Sequence, residues 1–311
     1  MNAIDDSSVW PREEQPMRVP KLLKTLLWMM ACGLPVLPAA GQEAAATKSL
    51  EQLRLSAYAQ LDGSESVFHI KGTAYGFVVG ERPSPLFGLE GYNVRRLVPV
   101  PGSDGSYYLA SREILFYTDA KTGEPIERWD NPYTGENVEV FHIQNDPVNF
   151  RFNEKDGAYI GASLDGSREY GPSPPPEEFG DYYVWHADVF PFYPLLGWEQ
   201  NYTAGELFDF YVPKSGLTDD GPFETMVSWT RVGPWLPWML MQDHDGMMVY
   251  HARSRRLAGW DELPEWVRER VSNDHPEYRH APESVDPAVR NVTSFSFYYG
   301  EMKKRASAEG G

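Results

Sequence analysis

The sequence predicts a mostly β protein, an antiparallel and barrel-like sheet with a few flanking helices. Three observations predict it. From Ser66 onward, short runs rich in Val, Ile, Tyr, Phe and Trp alternate with Gly, Asn, Asp and Pro clusters, as strands broken by turns do. Two turn signals, DAKTGE at 119–124 and DNPYTGE at 130–136, stand close together, each opening on Asp and offering Gly a positive φ. Helical periodicity is confined to two short stretches, and many strands with few helices favour a sheet closed on itself, because closure removes exposed edges.

The elements follow in order. Residues 1–41 read as a targeting segment. MRVPKLLKTLLWMMACGLPVLPAAG at 17–41 has a basic start (Arg18, Lys21, Lys24), an apolar middle and small residues at Ala39, Ala40 and Gly41, so a signal peptide is expected, with Met17 as an alternative start. Pro35 and Pro38 keep the apolar run short of the roughly 20 residues a membrane helix needs, so no stable membrane span is expected. A lipoprotein site at Cys32 is a poor fit, since Met29 stands where Leu is usual. A periplasmic or secreted location follows. Residues 42–48 form a spacer, and SLEQLRLSAYAQLDG reads as a helix with Leu50, Leu53 and Tyr58 at helical spacing.

Strands are expected at 66–79, 87–98, 107–118, 124–129, 137–144, 148–153, 157–164, 181–190, 205–212, 223–232, 246–253 and 292–299. Those around the two turns form a meander, antiparallel because the connections are too short to cross over. GPSPPPEEFG at 171–180 reads as a proline-stiffened surface loop rather than a domain linker. A second helix fits DELPEWVRERVSND, with Asp261 as N-cap and Leu263, Trp266, Val267 and Val271 as its apolar stripe. Residues 49–305 are thus expected to form a single β-rich domain, of the calycin or lipocalin kind or related to it, with 306–311 as a tail.

Composition narrows the function. The chain has 311 residues, 41% hydrophobic and 23% charged, and 28 Lys and Arg against 45 Asp and Glu give a net charge of −17. A general affinity for nucleic acid or anionic lipid is therefore not expected. Cys32 is the only cysteine and lies in the segment expected to be removed, which excludes disulfides, a thiol nucleophile and thiolate metal sites from the mature chain. There is no G-x-S-x-G elbow, H-E-x-x-H, Walker loop or G-x-G-x-x-G opening a helix. Asn201 and Asn291 begin glycosylation sequons, which matter only in a eukaryotic host.

Several residues are candidates for chemistry. In VEVFHIQNDP, His142 shares a strand face with Val138 and Val140. It reads either as a general acid or base oriented by Asp146 or Asn145, or as a hydrogen-bonded core histidine. Arg95 and Arg112 are arginines in β-prone segments, suited to stabilising negative charge or to pairing with a carboxylate. In DYYVWHADV, His186 and Asp188 share one face, with Tyr183 and Trp185 on the other. SWTRVGPWLPWMLM gathers Trp229, Arg231, Trp235 and Trp238 around Gly233, Pro234 and Pro237, a bent aromatic lip suited to a flat or apolar ligand, or ordinary core. Tyr133 is grouped with these ligand-binding candidates. His69, His142, His186 and His251 all fall in strand-like segments, so a histidine metal centre is an alternative. No metal ligand and no cofactor are assigned.

GLEGYNVRRLVPVPGSDGSYYLASREILFYTDAKTGEPIERWDNPYTGENVEVFHIQNDPVNF, SWTRVGPWLPWM, DGMMVYHARSRRLAGWDELP and a closing FYYGEMKK together resemble an uncharacterised family, domain of unknown function 1838. The resemblance spans roughly residues 50–305. It implies one domain and supplies no catalytic residues. The expected function is an exported protein binding an apolar or aromatic small molecule; whether it is an enzyme is left open, and if it is one, the chemistry expected is metal-free acid–base isomerisation, elimination or hydrolysis at His142 and Asp146 with Arg95 or Arg112. A non-catalytic carrier or sensor and a His/carboxylate metalloenzyme are the alternatives. Oligomeric state is not legible.

Overall fold

The computed structural model describes residues 47–190, 192–193, 202–218 and 223–309. The expected export segment 17–41, with Met17 and Cys32, lies outside the described residues, as does Asn201. The described residues form one compact unit.

The chain begins with helix α1 (Leu50–Tyr58) and continues with strands β1 (Ser66–Phe77), β2 (Ser84–Pro99), β3 (Tyr107–Asp119), β4 (Arg128–Asp130), β5 (Asn137–Glu139), β6 (Ile143–Asn145), β7 (Phe150–Lys155) and β8 (Ala158–Ala162). After these come β9 (Glu177–Phe179), β10 (Tyr182–Val189), β11 (Phe192–Tyr193), β12 (Tyr202–Thr203), β13 (Gly205–Pro213), β14 (Met226–Gly233) and β15 (Met247–Arg256), then helices α2 (Glu265–Asp274) and α3 (Ser294–Glu309). One antiparallel sheet has the order β8-β7-β3-β2-β1-β15-β14-β13-β10-β9, with β6 beside β3. The proline-rich stretch 171–180 carries edge strand β9, and the strands before and after it belong to the same sheet.

The protein is mostly β and antiparallel, but the expected barrel closure is not made, because no ladder joins β8 to β9. A helix stands at the gap instead. Ser49 caps α1 by accepting from the Gln52 N–H while Gln52 Oε1 accepts from the Ser49 N–H. At its far end the Tyr58 ring lies 5.3 Å from Phe152 on β7 and 4.8 Å from Phe210 on β13. In a flat sheet, six strand spacings of roughly 4.8 Å would hold β7 and β13 roughly 29 Å apart. One ring touching both therefore requires a strongly curled sheet with α1 on its concave side. Two strand-interior glycines allow the curl. A Cβ on Gly72 would sit 2.4 Å from the Cβ of Ala252, and one on Gly91 would sit 2.1 Å from the Ile114 carbonyl oxygen.

On the convex side, α2 lays Val267 and Val271 over Tyr92, Val94, Ile114 and Phe116 of β2 and β3. It begins at Glu265 after Pro264, not at Asp261, which lies in the preceding 3-10 turn; proline fixes the entry instead of a side-chain cap. The strand expected at 292–299 is the start of α3. Its SFSFYY alternation suits a strand, yet Phe295, Tyr298 and Tyr299 also stand at i, i+3 and i+4, and Thr293 and Ser296 cap the turn reciprocally. Phe295 is buried and Tyr298 meets Phe141 edge-on at 4.8 Å. The expected meander also differs: β4 and β5 pair as a separate ribbon, and only β6 returns to β3. Asn131 rather than Asp130 opens the second turn, accepting from the Tyr133 and Thr134 N–H groups.

Candidate functional site

Strand register sorts side chains between the two faces. Directly paired residues share a face, so the row Arg256, Phe68, Asn93, Glu113, Asn145 crosses β15, β1, β2, β3 and β6 on the concave side. A parallel row joins Glu206, Arg231 and Tyr250 across β13, β14 and β15. These rows carry charge where a packing core would be apolar.

At one end of the concave face, Glu206 Oε2 accepts from Trp229 Nε1 at 3.1 Å, and Arg231 Nε lies 3.6 Å from Glu206 Oε1, beyond hydrogen-bond reach. Burial and the negative charge of Glu113 outweigh these contacts and push the Glu206 carboxyl up to about 7. Glu113 belongs to β3, five ladder steps from β13, so its influence on Glu206 is another consequence of the curl. Trp229 stacks on Phe208 at 6.3 Å and tilts against Tyr250 at 5.7 Å. The Tyr250 and Tyr117 hydroxyls meet at 2.9 Å, and burial raises both phenols.

At the other end, Glu113 accepts from Asn145 Nδ2 at 2.8 Å. Its carboxyl is nonetheless raised, because burial exceeds the opposing pull of Arg95. Arg95 donates to Asn93 Oδ1 at 2.6 Å and lies over the Phe68 ring at 4.5 Å; burial lowers its pKa. Tyr58, Arg95, Glu113, Glu206, Phe208 and Trp229 all keep intermediate exposure. For the titratable members, burial is still the largest influence on the pKa. Partly exposed and buried polar groups thus share the concave face, which offers guanidinium donors, a carboxyl poised to give or take a proton near neutral pH, paired phenols and aromatic rings.

The sequence candidates divide three ways. Arg95, Trp185, Trp229 and Arg231 lie on this concave face. Trp235, Trp238 and Tyr133 belong to core packing: Trp238 meets Phe87 and Tyr117, while Trp235 donates to the His244 carbonyl and meets Tyr133 at 5.5 Å. His142, Asp146 and Arg112 lie elsewhere, and the expected pairing of His142 with Asp146 is not made. His142 is 5% exposed, its Nδ1 accepts from the Tyr117 N–H at 3.1 Å, and its ring meets Phe116 edge-on. The strand's backbone claims the imidazole because β6 leaves that N–H unpaired. Asp146 accepts from Arg112 Nε at 2.7 Å, and Arg112 Nη1 donates to the Glu277 and His280 carbonyls, so this pair clamps the segment after α2.

The four strand histidines do not converge. His69 contacts Glu90 at 3.1 Å, His186 contacts Asp209 at 2.7 Å, and both stand on the opposite face from the charged rows, as does His251. Among the described residues, no group of three or more His, Cys, Asp or Glu is placed to hold a metal ion. No helix among them is long and apolar enough to cross a membrane.

Sequence reasoning missed Glu113, Glu206, Tyr117, Tyr250 and Arg256. A signal was present for Glu113: strand alternation sets Ser111, Glu113, Leu115 and Tyr117 on one face of a strand whose other face includes Ile114 and Phe116.

The fold and this face together define a class, an antiparallel curled-sheet protein carrying charged and aromatic groups on its concave face. Within that class the chain belongs to the family described as Protein of unknown function (DUF1838), whose model matches residues 63–302. No curated protein matches it. The matched span includes Arg95, Glu113, Glu206, Arg231, Tyr250 and Arg256, while α1 precedes it.

Proposed function

We propose that the concave face forms a recess that binds a small molecule with a flat or apolar body, and that Glu206 exchanges a proton with it. In this reading the open ladder works as a barrel, with α1 standing in for the missing strand pairing. Trp229, Phe208 and Tyr250 receive the ring or apolar portion, Arg231 orients it, and Glu206 acts as general acid or base. The observation that carries the reading is that Glu113, Glu206, Arg95 and Arg231, from four strands, share the concave face. Such charges weaken a packed core, and their placement is explained by a ligand that uses them.

The catalytic role expected of His142 passes to Glu206, since the imidazole is engaged under α2. Export to the periplasm or exterior remains part of the proposal and rests on residues 17–41; N-terminal sequencing of the mature protein, with a start near Gly41, tests it separately.

Native mass spectrometry of the full chain purified from its source cells tests the recess. The wild type is expected to carry a small-molecule adduct that Trp229→Leu and Arg231→Leu lose while remaining folded. Adducts of the same mass retained by both variants, or Trp fluorescence that no aromatic acid, phenol or aromatic amide perturbs, would refute it.

A further inference from the structure

Arg256 closes β15 on the concave face and is 5% exposed. One guanidinium nitrogen, Nη2, donates to the Ser56 carbonyl of α1. The remaining nitrogens, Nε and Nη1, are buried and have no hydrogen-bond partner among the described residues. No carboxylate among those residues pairs with the group. The rings of Phe68 and Phe223 lie 5.0 and 5.4 Å from its central carbon, and the neighbouring charge it feels is the repulsive one of Arg95. An isolated buried cation costs several kcal/mol, and a buried donor left unmade adds to that.

The side chains around it repeat the pattern. Ser254 Oγ, two residues back on the same face of β15, is buried without a partner, as is Thr225 Oγ1, whose residue meets Arg256 through a 2.9 Å backbone hydrogen bond. One cross-strand row runs from Ser254 through Val227 and Phe210 to Trp185, whose buried Nε1 also lacks a partner. Each unpartnered group at this end of the face can donate, and a fixed positive charge stands among them. A water molecule would satisfy part of the hydrogen bonding and leave the charge uncompensated.

We propose that Arg256, with Ser254 and Thr225, forms a buried oxyanion subsite, with Trp185 further along the same row. Its occupant is a carboxylate or phosphate oxygen that accepts from the unpartnered Nε–H or Nη1–H of the guanidinium, which point from different edges of the group. The inference rests on the preceding reading only for the source of the anion: it is the acidic end of the molecule held at Trp229, or a free inorganic oxyanion.

The test is a thermal-denaturation titration of the full chain with inorganic phosphate and, separately, with benzoate, at constant ionic strength. Wild type and Arg256→Met are compared while Trp fluorescence is followed on the same samples. The wild type is expected to gain stability with one of the two anions, and Arg256→Met to lose that response by about tenfold or more in affinity, as the loss of charge-assisted hydrogen bonds requires. A preference for benzoate with fluorescence quenching identifies the acidic end of an aromatic ligand. A preference for phosphate without quenching supports the subsite and removes support from the aromatic reading. Should Arg256→Met fail to fold, the Thr225→Val, Ser254→Ala double variant is expected to weaken the same response severalfold. Equal responses in wild type and variants, or none in the wild type, would overturn the subsite, and quenching by a neutral aromatic in that case would leave the recess standing alone.

Discussion

Replacing Glu206 by Gln is expected to stabilise the protein at alkaline pH and leave it unchanged in acid. The Glu206 carboxyl moves from 4.5 in a free side chain to about 7 here, through burial and the charge of Glu113. Because the folded value is the higher one, the folded state holds this proton more tightly than the unfolded chain does. The contribution to stability is full below pH 4.5 and is lost as pH rises through 7. At about 1.4 kcal/mol per pH unit, the shift amounts to about 3 kcal/mol by pH 8. Solvent screening reduces that ceiling, as Glu206 is 23% exposed. Gln keeps the shape and still accepts from Trp229 Nε1, but it does not titrate. Urea unfolding at constant ionic strength between pH 4.5 and 8 measures the difference between wild type and variant, in which the other titrating groups cancel, except where Glu206 itself shifts them. A difference that grows in favour of the variant as pH rises is expected, and it should shrink in a Glu113→Gln background, where the repulsion is absent. Parallel profiles would refute the assignment of a raised carboxyl at Glu206.

Three further outcomes follow from named contacts. Tyr58→Ala removes the ring that joins β7 to β13 and should cost about 3 kcal/mol, within the range for losing a large packed aromatic, as read from urea midpoints. His142→Ala leaves the Tyr117 N–H without its acceptor and should cost about 1–3 kcal/mol while the ligand adduct seen by mass spectrometry persists; loss of the adduct from a folded variant would return His142 to the site. Arg112→Ala releases the Glu277 and His280 carbonyls and should accelerate amide hydrogen exchange across residues 277–281 before it changes exchange in β1 or β15.

Strands β1 to β3, β10, β13, β14 and β15 were legible because alternation and turn residues agreed along each of them. Phe87, Leu89 and Leu97, for example, keep period two through most of β2 and all lie on the concave side. The failures have local causes. SFSFYY satisfies two periods at once, and the neighbours of Phe295, which sequence does not reveal, decide for the helix. Barrel closure failed for a related reason: edge protection can come from a helix as well as from a strand pair, and α1 supplies it here. In the site, Arg95 and Arg231 stood out as arginines among aromatics. Glu113 and Glu206, however, lie 93 residues apart in sequence. Only the curl brings β3 to face β13, and no local pattern encodes it.

The shifts within the recess have a common direction. Burial raises Glu113 and Glu206, lowers Arg95 and Arg256, and raises the Tyr117 and Tyr250 phenols, so in each case the ionised form is the one the fold disfavours. Ion pairs built for stability behave otherwise elsewhere in this protein: Glu127, against His142 and Arg270, is lowered to about 2, and Glu65, Glu90 and Glu139 are lowered by their partners. The same chain therefore pairs carboxylates efficiently elsewhere and leaves charge poorly compensated on its concave face. Apolar side chains there would pack with less strain, as buried ion pairs replaced by hydrophobic residues usually show. A ligand that supplies an anion at Arg256 and accepts or donates a proton at Glu206 would relieve both penalties, and binding would then stabilise the fold as well as position the chemistry.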